Sequence, residues 1–174
     1  MQHAPRPGLS EEVAALIRQS EQANAALMLG DIERYRDLVS HSDDYTLMSP
    51  FGGTPTHGRQ ITSERWEEIG RFFRNGSLTQ ELVQSYATAD MVVLVTIEQA
   101  LVEVGGLPAQ PWSLRVTLVY RREGSGWCLA HRHADPLANA ITLEAAAALA
   151  QGPKTRAAPG HGGDANQGTS SMRV

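Results

Sequence analysis

The chain has 174 residues, 41% of them apolar, which suits one domain with a real core and some length left for tails. Its formal net charge is −4. Arg6 is the only charge in residues 1–8, and Lys154, Arg156 and Arg173 outweigh Asp164 by two in residues 151–174, so the middle of the chain carries −7 and is a poor partner for nucleic acid.

The first expected element is an amphipathic helix from about Ser10 to Leu29. Val13, Leu16, Ile17, Asn24, Leu27 and Met28 form its inner stripe, with Ser10 as N-cap and Gly30 as stop. Asp31 then caps a short helix, Ile32 to Val39. A brief strand, Tyr45 to Met48, runs into the turn-rich loop Ser49–Gly58. A third helix is expected from Arg59 to Arg74, burying Ile61, Trp66, Ile69 and Phe73, with Asn75-Gly76 ending it. Four strands follow with short connections: Leu78–Thr88, Met91–Val104, Trp112–Arg122 and Trp127–Asp135. Such a series predicts an antiparallel meander. An alanine-rich helix, Asn139–Gln151, is expected to be appended to the domain. Residues 1–9 and the glycine-rich 152–174 read as disordered tails, because neither holds enough apolar surface to offset its ordering entropy.

Strands of ten or more residues twist and bend, so one face of the meander becomes concave, and three helices leave a cone whose open end is a pocket. Alternation assigns Trp112, Leu114, Val116, Leu118 and Tyr120 to the concave face. The same rule puts Trp127, Leu129, His131, His133 and Asp135 there on the last strand. Cys128, Ala130, Arg132 and Ala134 then join Arg115, Thr117 and Val119 outside. Glu98 is expected on the convex face in solvent, with a base of raised pKa as the alternative.

Three stretches carry a resemblance. They are Leu29-Gly30-Asp31-Ile32, then Tyr45-Thr46-Leu47-Met48-Ser49-Pro50-Phe51-Gly52-Gly53 leading to His57-Gly58-Arg59, and Trp127-Cys128-Leu129-Ala130-His131-Arg132-His133. Together with the element order they resemble the SnoaL-like branch of the NTF2-like superfamily, the ketosteroid-isomerase-like, DUF4440-type group, over roughly residues 10–136. The family often closes this last strand with a serine, where this chain has Asp135. The resemblance implies an α+β roll of the cystatin-like kind, a cone-shaped curved antiparallel sheet against helices from the N-terminal half. It also implies a homodimer formed through the convex face. Relatives include isomerases, polyketide cyclases, dehydratases and epoxide hydrolases, alongside modules that only bind ligands or dimerise, so the fold does not choose among them.

Candidate chemistry centres on the last strand. His133 is the candidate for proton transfer, with Asp135 orienting it and His131 beside it. Residues two apart share a face at about 7 Å between α-carbons. The alternative is ordinary packing, with each histidine satisfying a buried partner. Tyr45, Phe51, His57, Trp66, Trp112 and Trp127 are the candidate substrate-binding side chains, Tyr45 or His57 giving a hydrogen bond. His-x-His also invites a metal, but a cupin pattern would need glycine and glutamate where Ser125 and Leu137 stand, so none is expected. Cofactors are set aside as well, since the chain lacks a GxGxxG after a strand, a P-loop, a G-x-S-x-G elbow and HExxH. No apolar run approaches the roughly 20 residues that cross a bilayer, the opening residues do not read as a secretory signal, and the single Cys128 allows no internal disulfide. A cytoplasmic protein is therefore expected. Its expected function is cofactor-free isomerase, cyclase or dehydratase chemistry on a small hydrophobic carbonyl-bearing molecule, or else ligand binding or dimerisation without catalysis.

Overall fold

The computed structural model describes residues 9–151. The tails read from composition lie outside these residues, apart from Leu9, which opens the first helix. The first compact unit runs to Leu137, and a second begins at Ala138.

Helix α1 (Leu9–Leu29) places Glu11 and Glu12 in its first turn, where carboxylates complement the helix dipole. Its inner stripe buries Leu16, Ala23, Asn24 and Met28. Gly30 ends it at φ +87°, and a Cβ there would stand 2.9 Å from the Phe73 carbonyl oxygen, so both conformation and space require glycine. Asp31 caps α2 (Ile32–Leu38) by accepting from the Arg34 N–H at 2.9 Å. Strand β1 (His41–Met48) starts earlier than expected and is followed by the two-residue β2 (Thr56–His57). A 3₁₀ turn, Gly58–Gln60, leads to α3 (Ser63–Phe72), capped by Thr62.

The third helix is thus shorter at both ends than the sequence predicts. The chain passes from Phe72 directly into β3 (Phe73–Ala87), and Asn75-Gly76 interrupts this strand instead of ending the helix. The cause is packing against α1. A Cβ on Gly76 would lie 2.6 Å from Val102 Cγ2 and 2.8 Å from the Met28 carbonyl oxygen. Strands β4 (Met91–Val104), β5 (Leu107–Glu123) and β6 (Gly126–Pro136) complete the meander. The sheet order is β2-β1-β6-β5-β4-β3, with β1 parallel to β6 and every other pair antiparallel. The result is the expected α+β arrangement, a curved and unclosed sheet with helices against one face. In the second unit Thr142 caps α4 (Leu143–Ala150), within the range where a helix is predicted.

Residues opposed across strands point to the same face, so register defines two surfaces. On the inner face Val92, Tyr120 and Leu129 form one row and Leu94, Leu118 and Arg132 the next. These rows pack against Leu16, Ala23, Tyr35 and Tyr45 in one continuous core. Trp112, Leu114, Val116, Leu118 and Tyr120 do face inward, as alternation predicts.

Candidate functional site

Strand β6 departs from strict alternation. Tyr120 opposes Leu129 and Val119 opposes His131, so Ala130 has no counterpart and forms a bulge. One extra residue sends every later side chain to the other face. Trp127 and Leu129 keep the inner face, but from the bulge onward Arg132 and Ala134 turn inward while His131, His133 and Asp135 turn outward. This corrects two expectations: the histidines and Asp135 do not face the cone, and Arg132 and Ala134 are not part of the outer surface. His133 Nε2 lies 3.3 Å from Asp135 Oδ2, with the two side chains 40% and 50% exposed, and Arg115 approaches the same carboxylate at 3.9 Å. His131 Nδ1 shares a 2.7 Å hydrogen bond with Thr46 Oγ1, and its ring centroid is 6.4 Å from that of His133. Burial, then the neighbouring His133, lowers the His131 pKa.

Glu98 also corrects its expectation. It is 2% exposed and lies among the inner residues of β4. Arg132 Nη1 donates to Glu98 Oε1 at 2.9 Å and Nη2 to Oε2 at 2.7 Å, and Asn24 Nδ2 adds a third bond at 3.0 Å. The bulge therefore delivers the cation that pairs with this carboxylate through two charge-assisted bonds in the core. Tyr35, Tyr45 and Tyr120 surround this pair. Burial raises all three phenols, Tyr35 to about 12, with the charge of Arg132 opposing the rise.

A recess of about 240 Å³ opens between β1, the 3₁₀ turn and α3, lined by His41, Tyr45, Gly58, Arg59, Ile61 and Trp66 together with Ser42 and Asp43. The His41 ring lies 4.5 Å from that of Tyr45 and 5.2 Å from that of Trp66, between centroids. Its Nε2 shares a 3.3 Å hydrogen bond with the Tyr35 hydroxyl. Burial, then the charge of Arg36, pushes the His41 imidazole down to about 4, so it is neutral at pH 7.

Of the predicted binding residues, Tyr45 and Trp66 line this recess. Phe51 is 57% exposed in the loop after β1 and packs on Phe72 and Trp112, ring centroids 5.4 and 5.5 Å away. His57 opposes Thr46 and so lies on the outer face with His131. Trp127 stacks under the Arg122 guanidinium at 4.2 Å. No three His, Cys, Asp or Glu side chains gather as a metal site among the described residues. His41, Tyr35, Asn24 and Arg132 were not among the predicted site residues. The signal for Arg132 was Glu98 itself, since a carboxylate at an inner position demands a cation. His41 precedes the predicted start of its strand and gives no such signal.

The model of the SnoaL-like domain matches residues 18–138, and the chain belongs to that family. No curated protein matches it. Among solved structures, a candidate dehydratase of the NTF2-like family from Streptomyces avermitilis is 20% identical, with a TM-score of 0.60 over 75% of this chain and 99% of its own. An NTF2-like superfamily protein from Salmonella enterica is 16% identical, with a TM-score of 0.59 over 79% and 99%. The association domain of the C. elegans protein CaMKII is 14% identical, with a TM-score of 0.54 over 73% and 97%. At these identities the similarity is one of fold. No helix among the described residues is long and apolar enough to cross a membrane.

Proposed function

We propose that this domain acts by association, two copies pairing through the outer face of the sheet to form a homodimer. The composition of that face carries the reading. One row crosses all six strands as Tyr86, Val93, Val119, His131, Thr46 and His57, and the next holds Gln84, Val95, Thr117, His133 and Met48. Tyr86 is 61% exposed, and Leu101 and Met48 are exposed as well. A sheet face that meets only water alternates to polar residues, whereas a face that sets Tyr86, Val93, Val95, Ile97 and Val119 together beside a polar stripe on β6 suits an isologous contact. Arg115 and Asp135 sit on this same face and can pair across a two-fold axis as well as within one copy. The C. elegans relative, an association domain by name, agrees with this use of the fold. Ile97→Asp puts a charge in the middle of the face, between Glu81 and Arg115. Light scattering after size exclusion should show a wild-type dimer at micromolar concentration and a monomeric variant with an unchanged circular dichroism spectrum. A monomeric wild type overturns the proposal.

A second reading, acid–base chemistry of the isomerase, cyclase or dehydratase type on a small hydrophobic molecule, rests on the neutral His41 held by Tyr35 at the recess. The Streptomyces avermitilis relative, a candidate dehydratase by name, is compatible with it. The pair His133 and Asp135, with His131 beside it, stands as the rival site on the outer face. Turnover lost in His41→Gln and kept in His133→Ala selects the recess, and the reverse result selects the outer face.

A further inference from the structure

We propose that the recess between β1 and α3 binds a small aromatic carboxylate, its ring against Trp66, His41 and Tyr45 and its anionic group on Arg59. The proposal deepens the small-molecule reading and does not depend on association. Size and wall chemistry set the ring. A cavity of about 150 Å³ accepts benzene, so a recess of about 240 Å³ has room for one ring and a substituent. Trp66 from α3 and Tyr45 and His41 from β1 supply aromatic surface on two elements of its wall, and ring pairs of this kind favour offset or edge contacts.

Charge sets the substituent. Arg59 lines the recess with no hydrogen bond or ion pair to any described residue, so its guanidinium is available for a fork of two bonds to a carboxylate. Arg36 adds a second positive field, strong enough to help hold His41 neutral. Against these stands Asp43, which lines the same recess but pairs with no described residue, Arg59 included. The aromatic floor is neutral at pH 7, and Arg59 is the cation on the lining that an incoming anion meets, with Asp43 the lone opposing charge there and Arg36 a further cation acting on His41.

Benzoate, benzamide and benzylamine are the probes, titrated by calorimetry at pH 7 into the full chain and into Arg59→Gln. The variant changes an exposed side chain and leaves the core untouched. Benzoate should bind the wild type about tenfold or more tightly than benzamide, the factor expected of one charge-assisted contact, and benzylamine should bind more weakly still. Arg59→Gln should remove the preference for benzoate while benzamide binding is unchanged. Equal affinity for benzoate and benzamide, or an unchanged preference in the variant, overturns the carboxylate assignment while the recess remains a small-molecule site. No binding of any probe overturns both.

Discussion

Replacing Arg132 with methionine should be the most destructive single change in the core that preserves side-chain length. The substitution leaves Glu98, 2% exposed, with only the Asn24 amide for company. Breaking a buried ion pair from one side costs about 3–5 kcal/mol, because the remaining charge stays desolvated. Domains are stable by about 5–15 kcal/mol in total, so the variant should lose about a fifth of its stability or more, which corresponds to roughly 10–20 °C in Tm. Glu98→Leu should cost a similar amount, since it strands the guanidinium. The double variant should return to within about 2 kcal/mol of the wild type, the remainder reflecting the acceptor that Asn24 loses. Urea denaturation of the four proteins, followed by circular dichroism at pH 7 with constant m-values, gives the cycle directly. Singles that simply add in the double variant, or an Arg132→Met loss under about 1 kcal/mol, would refute the pair as a buried and coupled unit.

Two further expectations concern single side chains. His41 titrates near its usual value when unfolded but at about 4 when folded, so its contribution is fully present above pH 6.5 and is lost as pH falls toward 4. That gap amounts to roughly 3 kcal/mol of acid destabilisation, which His41→Gln should remove; an unchanged slope of stability between pH 6.5 and 4 in the variant counts against the assignment. Thr96 Oγ1 is buried without a partner, and Thr96→Val keeps the shape while deleting the hydroxyl. The variant should gain about 1 kcal/mol and a few degrees in Tm by calorimetry, and a loss instead would mean the hydroxyl is satisfied.

Much of the fold was legible because alternation and turn chemistry agree over long stretches. The four-strand meander, the inner face of β5, and the caps at Asp31 and Gly30 all follow from local rules. Two places hid from those rules for a physical reason. Asn75-Gly76 has the composition of a helix stop, yet Gly76 is required where β3 passes under α1, and that contact is tertiary. Glu98 sets two rules against each other. Alternation along β4 puts it beside Val92, Leu94 and Val102, while the cost of burying a carboxylate argues for solvent. Alternation prevails because Asn24 and Arg132, from two other elements, supply the partners.

The bulge at Ala130 explains why the last strand misled where its neighbours did not. Leu129 must be inward to fill the core, and Arg132 must be inward to neutralise Glu98, yet they are three apart, an odd spacing that unbroken alternation cannot put on one face. An extra residue between them resolves the conflict, and it has no composition of its own to announce it. The same residue carries His131, His133 and Asp135 to the outside, into rows with Val119, Thr117 and Arg115. What looked like an acid–base set in a pocket is thereby a polar stripe on the surface proposed for association. Charge inside the cone is paired, and the polar groups open to a ligand lie at the recess beside β1. One bulge thus decides which side of the sheet each candidate chemistry can occupy.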